Sequence, residues 1–271
     1  MALGDIITES KPLSAASHKK ENKYMRELLT RASSFISLLP ADEQAVPEPS
    51  PNSFFYRVFY KHIDIANKVV DTSYLQTMAA GKLCPDYYGQ LTVLDSYYCY
   101  RAADTLKSLL CKIDQEDNPK LYKLANVMSQ KYDKYNSTFL DDWHLRESDS
   151  VTPTKTMHDY AEHEHNVMCY EDPIYTLVAY IPCYYLWPWF SQQIMERDGY
   201  NKDGIYDYWF KGNYYGKDSY KSAWLIGDLI EEWEAFEKPF DEAKAEEIYV
   251  KSMNYELQVF TEADKKEGGQ W

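Results

Sequence analysis

Three side chains that can do chemistry stand in stripes where helical periodicity otherwise places core residues. Leu91, Asp95, Tyr98 and Ala102 follow i, i+4, i+7 and i+11, which is one face of a helix. Tyr249, Met253, Glu256 and Phe260 repeat that spacing near the end of the chain, with Glu256 in the inward slot. An inward carboxylate without a partner costs several kcal/mol, so each needs a donor or a ligand. A single one is explained as well by a nearby tyrosine hydroxyl or arginine. Two, on separate helices of one bundle, favour a site.

The third side chain is Cys183, in the run V-A-Y-I-P-C-Y-Y-L-W (178–187), where Tyr180, Cys183 and Trp187 share a face at i, i+3 and i+7. On its own the stretch reads as core, because buried cysteine is a common small filler. Pro182 removes one helical hydrogen bond, which predicts a kink and room beside the thiol. A thiol between aromatics with carboxylates opposite is not in the electropositive setting that lowers a cysteine pKa. Its activation must come from a positioned base or from the substrate.

Positioning these groups requires long helices, and the chain supplies them. With only 10 glycines in 271 residues and no alternating strand segments, the pattern predicts an all-α chain. Expected helical stretches are 54–80, 85–113, 119–145, 154–169, 173–197, 204–215, 218–236 and 239–263, several opening on proline near the first turn. They read as one packed bundle over 53–264. Before it lies an N-terminal extension, 1–52, with one amphipathic helix (21–39) and a Pro-rich acidic linker, PADEQAVPEPSPN. Residues 265–271 read as a flexible tail.

Composition narrows the function classes. The net charge of −14 comes without any Lys/Arg-rich run, which argues against nucleic acid and anionic membranes as partners. The longest apolar run, 174–190, is too short and too rich in tyrosine for a membrane span. No secretory signal is visible, and five cysteines without C-x-x-C spacing point to free thiols, so the expected location is cytoplasmic. Cys84, Cys99, Cys111 and Cys169 read as structural. Tyrosine, at 26 residues, is over-used, and phenols suit a core that must satisfy buried polar groups.

In order along the chain, these segments resemble the TenA family, the thiaminase II group of the haem-oxygenase-like helical fold. V-L-D-S-Y-Y (93–98) is similar to the family's helix with an active-site Asp and a Tyr three residues later, here Asp95 and Tyr98. I-P-C-Y-Y-L (181–186) is similar to its L-P-C-Y-W-L, which makes Cys183 the counterpart of the nucleophile. N-Y-E-L-Q-V-F (254–260) is similar to its terminal Y-E-x-x-F, which makes Glu256 the counterpart of the active-site Glu. The resemblance spans about 54–263. Two departures stand out: Trp187 replaces a Tyr four residues after the Cys, losing a hydroxyl. The stretch W-F-K-G-N-Y-Y (209–215) carries one extra residue, with Tyr214 as the match and Tyr215 as the alternative.

The resemblance implies action on thiamin or an aminomethylpyrimidine. Asp95 would grip the amidine edge of the pyrimidine, and Tyr98 and Tyr214 would orient it. Tyr180, Tyr184 and Trp187 would supply stacking surface, Cys183 would add covalently to a ring carbon, and Glu256 would exchange a proton with a ring nitrogen. Water as acceptor gives hydrolysis. An amine or thiol cosubstrate gives base exchange, a chemistry associated with some animal members of the family. Neither route requires a metal or an organic cofactor, and a homo-oligomer stays open.

Two rivals remain at this level. Asp141/His144 and Glu162/His165 have the i, i+3 carboxylate–imidazole spacing of di-iron helical proteins. The simpler reading of H-D-Y-A-E-H-E-H (158–165) is a solvated helix face, because Glu162 to His165 includes no apolar residue. The other rival is an inactive relative that only binds a thiamin-like compound.

Overall fold

A computed structural model describes residues 46–142, 147–235 and 240–265. The expected helix at 21–39, most of the linker, His144 and the tail from 266 lie outside the described residues. Among the described residues ten α-helices follow in order: α1 (Phe54–Lys61), α2 (Ile63–Val70), α3 (Ser73–Ala79), α4 (Pro85–Leu110), α5 (Pro119–Asp142), α6 (Lys155–Tyr170), α7 (Pro173–Met195), α8 (Asp207–Asn213), α9 (Lys221–Ala235) and α10 (Glu242–Glu262). Among the described residues there is no strand, and no helix is long and apolar enough to cross a membrane.

The expected single helix over 54–80 is three. Ser53 caps α1, its side chain accepting from the Tyr56 N–H, and the turn ends at His62. α2 then stops because Thr72 turns extended and its hydroxyl takes the Val69 carbonyl, so the next turn must start afresh. Continuous apolar periodicity hid these breaks, since each short helix keeps its buried face inward. α4, α5 and α7 begin on Pro85, Pro119 and Pro173, where a missing N–H costs nothing.

α7 is the axis of the bundle. Of its 23 residues 16 are buried, on every side of the helix, so it must be surrounded. α6, α9 and α10 pack directly on it, while α4 lies between α5 and α6. α7 runs as one helix through Pro182 and Pro188. The three helices whose stripes carry Asp95, Cys183 and Glu256 are therefore gathered around one interior, with α6 completing the wall.

On the far side of α7, Gly227 in α9 permits a close approach. A Cβ there would sit 2.6 Å from a Pro49 ring carbon and 3.0 Å from the Phe55 ring, which is itself fully buried. Gly227→Ala should therefore destabilise, since overpacking of roughly 1–3 kcal/mol outweighs the gain in helix propensity. Urea unfolding checks this: the midpoint should fall with the slope unchanged, and an unchanged or higher midpoint would contradict the close approach.

Candidate active site

Four helices contribute side chains to one cavity. Leu91, Asp95 and Tyr98 come from α4, and Met157 and Tyr160 from α6. Cys183 and Trp187 come from α7, and Glu256 and Val259 from α10. No lysine, arginine or histidine lines it.

Glu256 is only 3% exposed, and both of its oxygens accept hydrogen bonds. The Tyr160 hydroxyl donates to Oε1 at 3.0 Å and the Trp187 indole N–H donates to Oε2 at 3.2 Å. Burial pushes its carboxyl up to about 7; the two donors pull the other way, and the nearby Asp95 adds to the rise. Asp95 is half-buried and has no hydrogen-bond partner among the described residues, so its carboxyl is open to the cavity. Burial alone pushes it up to about 7 as well. Two carboxyls, each pushed up to about 7, thus share a cavity lined by no lysine, arginine or histidine, and each can hold or release a proton near neutrality.

The Cys183 thiol is pushed well above its ordinary value, first by burial and then by the Glu256 carboxyl. Opposing this, the Tyr132 hydroxyl lies 3.2 Å from Sγ. At rest the group is a neutral thiol. It reacts only if something nearby takes its proton.

Asp95, Tyr98, Cys183, Trp187 and Glu256 are brought together. Tyr180, Tyr184 and Tyr214 are not. Tyr180 is fully buried beneath the cavity wall, with its hydroxyl toward the Ala102 carbonyl at 3.4 Å and toward Glu164. Tyr184 turns its ring edge to Tyr132 and lies under the Lys131 ammonium. Tyr214 follows the end of α8 in extended backbone and packs on Tyr220, whose ring meets Tyr185. Tyr185 is about 200° around α7 from Cys183, so Tyr214 lies across the helix from the thiol. Trp187 is more than a stacking surface. Its N–H supplies Glu256 with the donor that a phenol in that slot would otherwise provide.

The segment 158–165 is not a solvated face. His163 is buried, its ring set against Tyr255 and its Nε2 toward the Ile248 carbonyl at 3.3 Å. Glu164, 1% exposed, receives the Tyr98 hydroxyl at 2.7 Å. The sequence signal was present: Met157, Tyr160, Glu164 and Met168 follow i, i+3, i+7 and i+11, the same kind of stripe that marked Asp95 and Glu256. A local run of charges concealed it. The other two members face α4 and their own helix: Glu162 pairs with Arg101 at 2.5 Å, and His165 meets Thr105 and Cys169 at 3.4 Å. Among the described residues no three His, Cys, Asp or Glu side chains converge where a metal ion could be held.

No protein-family profile matches the chain, and no curated protein sequence does. Solved structures do. A TenA homologue from P. horikoshii OT3 superposes with a TM-score of 0.65 at 15% identity, over 78% of this chain and 98% of that one. A TenA homologue from Pyrococcus furiosus gives 0.64 at 12% identity, over 78% and 99%. A TenA-like protein from Sulfolobus solfataricus P2, named as a candidate thiaminase, gives 0.58 at 16%, over 76% and 93%. The chain therefore has the fold of TenA homologues, all-helical and matched over nearly their whole length.

The matched carboxyls set a pH dependence of stability. Asp95 and Glu256 bind a proton more tightly folded than unfolded, so their contribution is complete below about pH 4 and is lost as the pH rises through about 7. Melting temperature should fall between about pH 5 and about pH 8, and Glu256→Gln should flatten that fall. Thermal melts across this range check it; a fall equally steep in the variant would show that Glu256 does not hold the proton.

Proposed function

We propose that the chain is a thiaminase-type enzyme of the TenA kind, cleaving the C–N bond at the pyrimidine methylene of thiamin or of an aminomethylpyrimidine through a covalent adduct on Cys183. The observation that carries this is the convergence of one thiol and two carboxyls of raised proton affinity on one cavity. An acidic, cation-free lining also favours a substrate that is a cation or takes up a proton, as thiamin and aminopyrimidines do.

In this reading Asp95, whose oxygens have no hydrogen-bond partner among the described residues, grips the amino group and adjacent ring nitrogen. Glu256, held by Tyr160 and Trp187, gives its proton to a ring nitrogen as Sγ adds to an electron-poor ring carbon. The methylene C–N bond then breaks, and its electron pair leaves with the thiazole or amine nitrogen. Water, or an amine or thiol, adds to the methylene and gives up a proton. Expulsion of the sulfur restores the aromatic ring, and the ring-nitrogen proton returns to Glu256.

Mass analysis of products formed from thiamin, with and without added pyridine, tests the reading. Hydroxymethylpyrimidine alone identifies hydrolysis, and a pyrimidine–pyridine adduct identifies base exchange. Cys183→Ser should abolish either, and full activity in that variant would refute the covalent route. Stoichiometric binding of thiamin without any product would instead make the chain a binding protein.

A further inference from the structure

Cys183 is a neutral thiol at rest, and an electron pair must come free on its sulfur before it can add to carbon. Glu256 opposes an anion there, and no lysine, arginine or histidine lines the cavity. Burial keeps the Glu164 carboxyl, the Cys99 thiol and the phenols of Tyr98, Tyr160, Tyr180 and Tyr184 protonated. The Lys131 ammonium on α5 favours an anion on the sulfur, from over the Tyr184 ring, 4.8 Å from its centroid. Among the described residues, the group at hydrogen-bond distance from Sγ is the Tyr132 hydroxyl, 3.2 Å away and also on α5.

We propose that Tyr132 is the residue that steadies the Cys183 sulfur as an anion, by donating its hydroxyl hydrogen to Sγ from outside the cavity lining. While the thiol is neutral, either atom of that contact can be the donor. Once the S–H proton has passed to a solvent base or to the substrate, only the phenol can be. The electron pair stays on sulfur, and the phenol O–H bond stays intact. Burial pushes the Tyr132 phenol well above its ordinary value, so it keeps its proton. The ring is also held in place. Tyr132 is 7% exposed, and the rings of Tyr98, Tyr180 and Tyr184 stand 6.1, 6.0 and 5.9 Å from it, the first and last edge-on. A donor fixed in advance costs no reorganisation when charge appears, which is how an oxyanion hole stabilises oxygen. Tyr132 does not line the cavity, so it meets the reacting sulfur and not the substrate.

The proposal rests on Cys183 being the reacting thiol, and its test does not need turnover. Alkylation by iodoacetamide, with mass analysis of the Cys183 peptide across a pH series, follows thiolate formation. Tyr132→Phe keeps the ring and removes only the donor. A hydrogen bond to a charged group is strong enough to hold the thiolate fraction at neutral pH up by about 10- to 100-fold. The more basic sulfur left without it is the better nucleophile and regains roughly the square root of that loss, so alkylation should slow by about 3- to 10-fold. Asp95 and Glu256 titrate near pH 7 in both proteins, so variant and wild type are compared at each pH. An unchanged rate makes Tyr132 plain packing. A faster one means that the thiol donates to the phenol oxygen and is held back by it; either overturns the proposal. If Tyr132→Phe does not fold, the wild-type chain decides. Its ultraviolet pH titration, less that of Cys183→Ser, should show the thiolate band without a tyrosinate band, and a tyrosinate band rising with it overturns the proposal. Where thiamin is turned over, Tyr132→Phe should lower kcat by about 10-fold with KM little changed. Slowed alkylation in a chain that never cleaves thiamin would uphold the donor and sink the thiaminase reading. Cleavage with unaltered alkylation would do the reverse.

Discussion

Everything in this structure turns on the cost of taking carboxyl groups out of water. Asp95, Glu164 and Glu256 sit in or against one interior, and no cation lines the cavity they surround. The chain meets the cost with neutral donors: Tyr98 for Glu164, and Tyr160 and Trp187 for Glu256. Neutral donors satisfy hydrogen-bonding capacity without cancelling charge, so proton affinity stays high, and Asp95 and Glu256 remain exchangeable near neutrality. An arginine in the same place would have held them as permanent anions. Part of the chain's tyrosine excess has its reason here, because a phenol brings packing area and a donor in one side chain.

The scaffold follows from the same constraint. A cluster of this kind survives only where its surroundings are rigid, and α7 provides that by being buried on all sides. Phe190, Phe260, Trp187 and Trp209 interlock below the cavity with centroid separations of 5.3 to 6.0 Å, so the indole that holds Glu256 is itself fixed. Trp187 shows how the chemistry tolerates a change of residue type. The slot has lost a hydroxyl relative to the family it resembles, yet the indole N–H supplies a hydrogen-bond donor to the Glu256 carboxyl. Tyr160, one α-helix away, supplies the other.

What the residues of the chain settled alone was a matter of period. All-helical architecture and the inward direction of Asp95, Cys183 and Glu256 follow from 3.6-residue spacing and side-chain polarity, which are local properties, whereas Trp187 stood out only through the family resemblance. Glu164 obeys the same spacing and was hidden by the charged run around it, so it was legible in principle. Tyr180 and Tyr184 also have the right spacing, but spacing specifies a helix face and not the depth at which a ring ends. Which faces meet, by contrast, is decided by packing between helices far apart in the chain. Tyr132 lies 51 residues from the sulfur it touches, and Glu164 lies 66 from the phenol it binds. Tyr214 was turned away from the thiol by the end of α8 and by Tyr220. No pattern within one helix carries such distances, because the free energy that sets them is the burial of whole faces against one another. Sequence periodicity determined which groups point inward; only the assembled bundle decided which of them meet.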